Sequence, residues 1–169
     1  MATRNAHCSF CGDRFSDAAV WPRTCGGCGQ TSFLNPLPVV VLLLPVDDGL
    51  LLIRRGIPPV GKLALPGGFI DWGETWQEGA ARELHEEAGL SLDPAEVRPF
   101  GVASAAPGIL LLFGIAPGLR AEDLTPFVPN HECTERLVIR APCDAEMAFP
   151  LHAQAVRDYF AGRRGLSGG

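Results

Sequence analysis

The pattern of apolar and polar positions divides the chain near residue 35. Residues 1–31 mix Cys, Gly and polar side chains with little hydrophobic periodicity, so this stretch lacks the means to build a core of its own. After Asn35-Pro36 the texture changes. Val39–Leu44 and Leu50–Arg54 are β-rich runs joined through the turn-forming Asp47-Asp48-Gly49, and they predict a hairpin. Leu63–Leu65 predicts a short extended piece, broken by Pro66-Gly67-Gly68. Trp76, Ala80, Leu84 and Ala88 then recur at helical spacing. With Thr75 as N-cap, Glu78 completing a capping box and Gly89 as the stop, they predict a helix over Trp76–Ala88. Arg98–Ala103 and Ile109–Ala116 read as strands, a Pro-containing loop runs from Pro117 to Asn130, and Leu137–Arg140 adds one strand more. Leu151, Ala155, Val156 and Tyr159 have the spacing of a second helix that ends about Phe160, before Gly162. Strands interleaved with two helices predict an α/β sandwich.

Composition narrows the class. A chain of 169 residues with 47% hydrophobic content can bury one substantial core plus a small appendage, which excludes a disordered or fibrous protein. Its formal charge of -5 argues against broad attraction to nucleic acid or membrane through charge, so handling phosphates requires metal ions. The longest apolar run, Val39–Leu44, is bounded by Pro38 and Pro45 and is far too short to span a bilayer. Met1–Phe10 contains Arg4, Asn5 and His7 but no apolar h-region, so no secretory signal is read and a cytoplasmic location is expected. The expected organisation is a stapled unit over 1–34, a main domain over 35–162 and a mobile tail over 163–169.

The staple is visible in the cysteines. Cys8-Ser9-Phe10-Cys11-Gly12 and Cys25-Gly26-Gly27-Cys28-Gly29 are two CxxCG knuckles with thirteen residues between Cys11 and Cys25. Each knuckle can direct two thiolates at one tetrahedral ion, with glycine allowing the tight turn, and metal binding supplies folding energy to a segment without a core. Four protein ligands close the coordination sphere, so Cys8, Cys11, Cys25 and Cys28 predict a structural Zn2+ in a zinc ribbon rather than a catalytic one. His7 falls outside the spacing, and Cys133 and Cys143 have no partner pattern.

The densest chemistry lies in residues 68–90, GFIDWGETWQEGAARELHEEAGL. On the predicted helix Glu83 and Glu87 are four apart and Glu86 is three from Glu83, so their carboxylates gather along the edge of the apolar stripe. Three like charges there are costly without compensation, and hard oxygen ligands at this density suit Mg2+ or Mn2+. A solvated acidic face is the plain alternative for any Glu-rich stretch. The segment also matches G-x5-E-x7-R-E-U-x-E-E-x-G-U, with U apolar, at Gly68, Glu74, Arg82, Glu83, Leu84, Glu86, Glu87, Gly89 and Leu90. In this it resembles the Nudix hydrolases.

That resemblance implies a Nudix α/β/α sandwich with a mixed β-sheet, and a phosphoric anhydride hydrolase. It also implies roles. Glu86 and Glu87 would be the principal ligands of Mg2+ or Mn2+, with the Gly67 or Gly68 carbonyl completing the site. Glu83 would be a further ligand or the base, Arg82 would orient the acids, and Glu74 would support the loop and helix. For Glu74 a favourable place near the helix N-terminus is also a credible account. Some members take the base from a later loop, where Glu132 and Glu135 are candidates.

A zinc ribbon ahead of such a domain resembles the layout of NADH pyrophosphatases, some of which also remove NAD caps from RNA. The SQPWPFPxS-like segment of those enzymes is replaced here by Gly101-Val102-Ala103-Ser104-Ala105-Ala106-Pro107-Gly108. Ser104 with Pro107-Gly108 loosely resembles the Ser-Pro-Gly turn of ADP-ribose pyrophosphatases, with two alanines inserted. The expected reaction is cleavage of a diphosphate linkage in a nucleoside diphosphate joined to another group, with ADP-ribose-like, NAD-like and nucleoside triphosphate substrates all open. A noncatalytic Nudix module that senses a nucleotide or binds a protein is the competing class, which the intact acids disfavour. The expected partner is a nucleotide-type small molecule. No membrane partner is expected, nucleic acid is not expected apart from a capped RNA end, and a homodimer is allowed.

Overall fold

The computed structural model of the protein describes residues 5–16 and 20–163. The tail reading over 163–169 lies, beyond residue 163, outside the described residues. The chain separates into two compact units, Met1–Pro36 and Leu37–Gly169. In the first, β1 (Arg23–Thr24) and β2 (Thr31–Ser32) form a two-stranded antiparallel sheet beside a small cluster of Cys8, Phe15, Cys25 and Trp21.

The second unit contains β3 (Leu37–Leu43), β4 (Pro45–Val46), β5 (Gly49–Arg55), β6 (Leu63–Ala64) and β7 (Gly67–Phe69). Helix α1 (Trp76–Ala88) follows, then β8 (Arg98–Ala105), β9 (Ile109–Ile115), β10 (Cys133–Ile139) and α2 (Pro150–Phe160). One mixed sheet has the order β7-β3-β9-β8, in which β3 and β9 run parallel and the other pairs antiparallel. A second sheet places β5 between β10 on one edge and β4 and β6 on the other.

The apolar run in β3 does not alternate with polar residues because both of its faces are covered. Val40, Leu42 and Leu44 pack with Ala80, Leu84 and Ala88 of α1, whereas Val41 and Leu43 pack with Ala153, Ala155 and Val156 of α2. This is the α/β/α sandwich. Burying Leu84 alone is worth roughly 2 kcal/mol. Among the described residues no helix is long and apolar enough to cross a membrane.

Two local expectations need correction. The hairpin at Asp47-Asp48 joins only β4 to β5, with Val46 opposite Gly49, whereas β3 belongs to the other sheet. Successive carbonyls explain the change of partner: Leu43 accepts from Ala116 at 3.0 Å, and Leu44 accepts from Leu51 at 2.9 Å. Neighbouring carbonyls of an extended chain point to opposite edges, so one strand can hand over between sheets. Gly67 and Gly68 do not break the chain either; they pair antiparallel with Val41 and Val40. A Cβ on Gly67 would collide with the Val40 carbonyl, and one on Gly68 with the Glu83 carboxylate, so glycine permits this close approach. The last strand begins at Cys133, four residues before the expected start, with an irregular register between Cys133 and Glu135.

Candidate active site and thiolate cluster

Helix α1 is fixed at both ends. The Thr75 hydroxyl accepts from Glu78 N–H at 3.2 Å while Glu78 accepts from Thr75 N–H at 2.6 Å, and Gly89 closes the helix with φ 67. Such capping contributes about 1 kcal/mol and sets the register in which the acids face β7.

Arg82 is the hub of the acidic group. Its guanidinium donates to Glu74 Oε1 at 2.8 Å, Glu83 Oε1 at 2.8 Å, Glu86 Oε2 at 3.1 Å and the Phe69 carbonyl at 2.9 Å. One planar fork thus ties together the loop before the helix, strand β7 and two turns of α1. Glu74 also accepts from Asp71 N–H at 2.7 Å. The Arg82 hydrogen bonds hold the Glu74 carboxyl below its ordinary range.

Glu83 and Glu87 stand differently. Burial raises the Glu83 carboxyl, and Arg82 offsets only part of that rise. Glu87 is 5% exposed, and burial pushes its carboxyl up to about 8 even though Gly67 N–H donates to it at 2.8 Å. Glu86 reaches towards solvent. Glu132 couples electrostatically to both Glu83 and Glu87, while Glu135 is committed to Arg54 at 2.7 Å.

Some positions give no sequence signal of their role. Asn130 donates to the Glu86 carbonyl at 2.9 Å and accepts from Glu132 N–H and Cys133 N–H, which ties the start of β10 to the helix. Arg55 and His152 line a cleft of about 480 Å³ whose wall includes Gly67, Gly68 and Phe69. An Asn beside a strand and a His on an otherwise apolar helix stripe are commonplace in sequence, and only the fold brings them here.

The carboxylates meet the demands of a hard cation. Glu74, Glu83, Glu86, Glu87 and Glu132 make five acids facing two guanidinium groups, Arg82 and Arg55, a formal excess of three negative charges. Ionised and buried, Glu87 requires a positive partner that its one amide donor does not provide. The carboxylates of Glu83, Glu86 and Glu87 offer oxygen donors of the kind that Mg2+ and Mn2+ take. Among the described residues no three carboxylates converge as tightly as the cysteines do, because Arg82 draws Glu83 and Glu86 to itself.

In the first unit the sulfurs of Cys8, Cys11, Cys25 and Cys28 all lie within 4.8 Å of one another. Cys8 to Cys28 is 3.7 Å and Cys11 to Cys25 is 3.6 Å. A tetrahedral ion with metal–sulfur bonds of about 2.3 Å needs sulfur–sulfur edges of about 3.8 Å. Both knuckles turn alike: Gly12 donates to the Cys8 carbonyl and Gly29 to the Cys25 carbonyl, with φ of 81 and 74. The Phe10 amide donates to Cys8 Sγ at 3.4 Å, and backbone donors, Phe10 first, lower that thiol to about 6. The cluster is compatible with a zinc ribbon. His7 is exposed and is no member of it.

Fold and site together define an α/β/α sandwich that presents a capped, carboxylate-bearing helix to a glycine-floored cleft. Residues 35–110 match the NUDIX domain family. A NUDIX hydrolase from Nitrosomonas europaea superposes with a TM-score of 0.68 at 25% identity, covering 95% of this chain and 96% of that one. In that segment, and in its fold, the chain is similar to the Nudix hydrolases. The NAD-capped RNA hydrolase NudC of Edwardsiella ictaluri is 31% identical over 86 residues, which are 50% of this chain and 34% of the relative. The matched segment therefore spans about a third of that relative's length. An ADP-ribose pyrophosphatase from Streptococcus suis has the same fold, with a TM-score of 0.55 at 19% identity over 75% of this chain and 88% of its own.

Proposed function

We propose that the protein is a divalent-cation-dependent pyrophosphohydrolase acting on a nucleoside diphosphate joined to another group, with ADP-ribose-like and NAD-like compounds as the leading substrates. The observation that carries this reading is the pair Glu83 and Glu87, withdrawn from water against Gly67 and Gly68 at the head of the cleft. Glu83, Glu86 and Glu87 would hold Mg2+ or Mn2+ with the Gly67 or Gly68 carbonyl. Such an ion supplies charge neutralisation at the diphosphate oxygens and a water acidic enough to attack. Arg82 keeps Glu83 and Glu86 in register, and Glu74 anchors Arg82. Glu132, coupled electrostatically to Glu83 and Glu87, is the first downstream candidate for the base, and Glu135, paired with Arg54, is the second. A NudC relative and an ADP-ribose pyrophosphatase of the same fold agree with the substrate class. Phosphate release from dinucleotides, nucleoside diphosphate sugars and nucleoside triphosphates, measured with Mg2+ and with Mn2+, tests the reaction. Product masses locate the broken bond, and silence across all three classes defeats the reading.

Selectivity is expected not to favour NADH, because the segment after the box lacks the NADH pyrophosphatase pattern. A preference for NADH of about a hundredfold in kcat/KM, roughly 2.7 kcal/mol of transition-state discrimination, would overturn that expectation.

Residues 1–34 are proposed as a zinc ribbon ahead of a Nudix domain over 35–162, in a reducing cytoplasmic setting that keeps thiolates available. Metal analysis is expected to find about one zinc per chain. The double change Cys25→Ser and Cys28→Ser is expected to release it, with hydrolysis affected less than the order of the first unit. Native disulfides among these cysteines, with no zinc, would contradict the assignment.

A further inference from the structure

The end of helix α1 is tied to the segment that leads into β10. Thr125 Oγ1 donates to the Gly89 carbonyl at 3.2 Å, Arg136 Nη1 to the Ala88 carbonyl at 2.6 Å and Asn130 Nδ2 to the Glu86 carbonyl at 2.9 Å. Carbonyls at a helix C-terminus lack partners within the helix, and capping of them accounts for Thr125 and Arg136.

Asn130 does more. Its Oδ1 accepts from Glu132 N–H at 2.9 Å and from Cys133 N–H at 2.8 Å, and its own N–H donates to the Cys133 carbonyl at 2.9 Å. Two amides require an acceptor and one carbonyl requires a donor, so only this orientation of the side chain satisfies all three. One edge of the amide holds α1 at Glu86, and the other holds the turn that carries Glu132. The turn is also held from the far side, where the Glu132 carbonyl accepts from Gly56 N–H at 2.6 Å just beyond β5. Cys133 is fully buried in the core that includes Leu84 and Ala88 of α1. Glu132, its neighbour, keeps a side chain that is 42% exposed and coupled electrostatically to Glu83 and Glu87.

We propose that Asn130 is a positioning residue for hydrolysis, fixing Glu132 as the base at a set distance from the acids of α1. The inference rests on the pyrophosphohydrolase reading with Glu132 as its base. As the water oxygen bonds to phosphorus, the bridging P–O bond breaks and its electron pair leaves with the departing phosphate, while the proton of the water passes to the Glu132 carboxylate. Proton transfer demands hydrogen-bond reach, and a misplacement of about 1 Å can cost about a hundredfold. Cation ligands on a helix and a base on the approach to a strand therefore need a rigid tie. The side-chain hydrogen bonds of Asn130 all go to backbone atoms, so its influence on the acids runs through the chain that carries them.

A double-mutant cycle in turnover tests this, with saturating Mg2+ and a diphosphate compound that the wild type cleaves. Asn130→Ala is expected to lower kcat about tenfold or more with KM changed less than about threefold, and Glu132→Gln to lower kcat about a hundredfold. Added to Glu132→Gln, the change Asn130→Ala is expected to cost less than about threefold, because no base remains to be placed. Thr125→Ala removes a carbonyl cap without touching the turn, and its kcat is expected to stay within about threefold of wild type. Should thermal melting show Asn130→Ala unfolded, Asn130→Asp enters the same cycle: it keeps both accepted hydrogen bonds and loses the one donated to Glu86. Independent losses that multiply in the double variant would overturn the proposal. So would near-wild-type kcat in the Asn130 variant, or an equal loss in Thr125→Ala. Near-wild-type turnover in Glu132→Gln overturns it too and leaves the pyrophosphohydrolase reading intact. A wild type that cleaves no diphosphate compound defeats that reading, and the role of Asn130 falls with it.

Discussion

Replacing Glu87 by Gln is expected to lower hydrolysis by about a hundredfold or more while leaving the protein folded, and Glu86→Gln is expected to do likewise. Gln keeps the side-chain size and can still accept from Gly67 N–H, but it lacks the charge that a hard divalent ion requires. The two sites differ in what they do to stability. Burial raises the Glu87 carboxyl from its ordinary 4.5 to about 8. A carboxyl raised on folding binds more protons in the native state between those values, so stability is greatest below the lower one and is lost as pH climbs through the upper. Without divalent metal, the wild type is therefore expected to weaken between about pH 5 and pH 8, by an order of a few kcal/mol from this group. Glu87→Gln is expected to show a shallower decline and to melt above the wild type at pH 8. Thermal melting across pH in chelator, beside kcat at saturating Mg2+, checks both halves. Near-wild-type turnover in both variants sinks the metal-site assignment, and collapse of both folds would make these acids structural.

Arg82→Ala is expected to destabilise the protein by about 3 kcal/mol and to abolish most activity as well. Its partners explain the size of the effect: the side chains of Glu74 and Glu83 are 17% and 12% exposed, and both lose a charged donor at 2.8 Å. The loss is of the kind in which one member of a partly buried ion pair is left uncompensated. Arg82→Lys restores the charge but not the fork that reaches Phe69, Glu74 and Glu83 at once, so recovery is expected to be partial. Urea unfolding measures the difference. A loss of less than about 0.5 kcal/mol in Arg82→Ala would place this network among weak surface pairs.

The features legible in the sequence are those whose cause is local. Thr75, Glu78 and Gly89 delimit α1 because capping acts within a few residues of chain, and the structure gives Trp76–Ala88 as read. The CxxCG turns are equally local. The features illegible in the sequence depend on distant partners. A run buried on both faces carries no mark of where it changes sheets, so the sequence of Val39–Leu44 points to a hairpin with β5, whereas only β4 after it forms that hairpin. Gly67-Gly68 suggests a break to any reading based on propensity, yet β3 and Glu83 press on it from two sides. Glu87 was expected beside the apolar stripe, but the sheet comes close enough to bury it. Arg55 and His152 are ninety-seven positions apart in the chain, and their meeting follows from topology alone.

The parallel pairing of β3 with β9, from Leu37 opposite Ile109 to Leu43 opposite Ile115, has a consequence for anyone who handles the motif as a unit. A fragment ending at residue 110 would retain Gly68, Glu74, Arg82, Glu83, Glu86 and Glu87, everything by which the motif is spelled. It would also strip β3 of its partner along a whole edge and remove α2 from one face of the sheet. The exposed amides and carbonyls would then be free to pair with another chain, and a sticky apolar slab would replace a core. The signature is thus not portable. It is inherited as part of a complete layer, whose closing strand lies well beyond the last letter of the signature and has to cross a large separation in sequence before the first acid is in place.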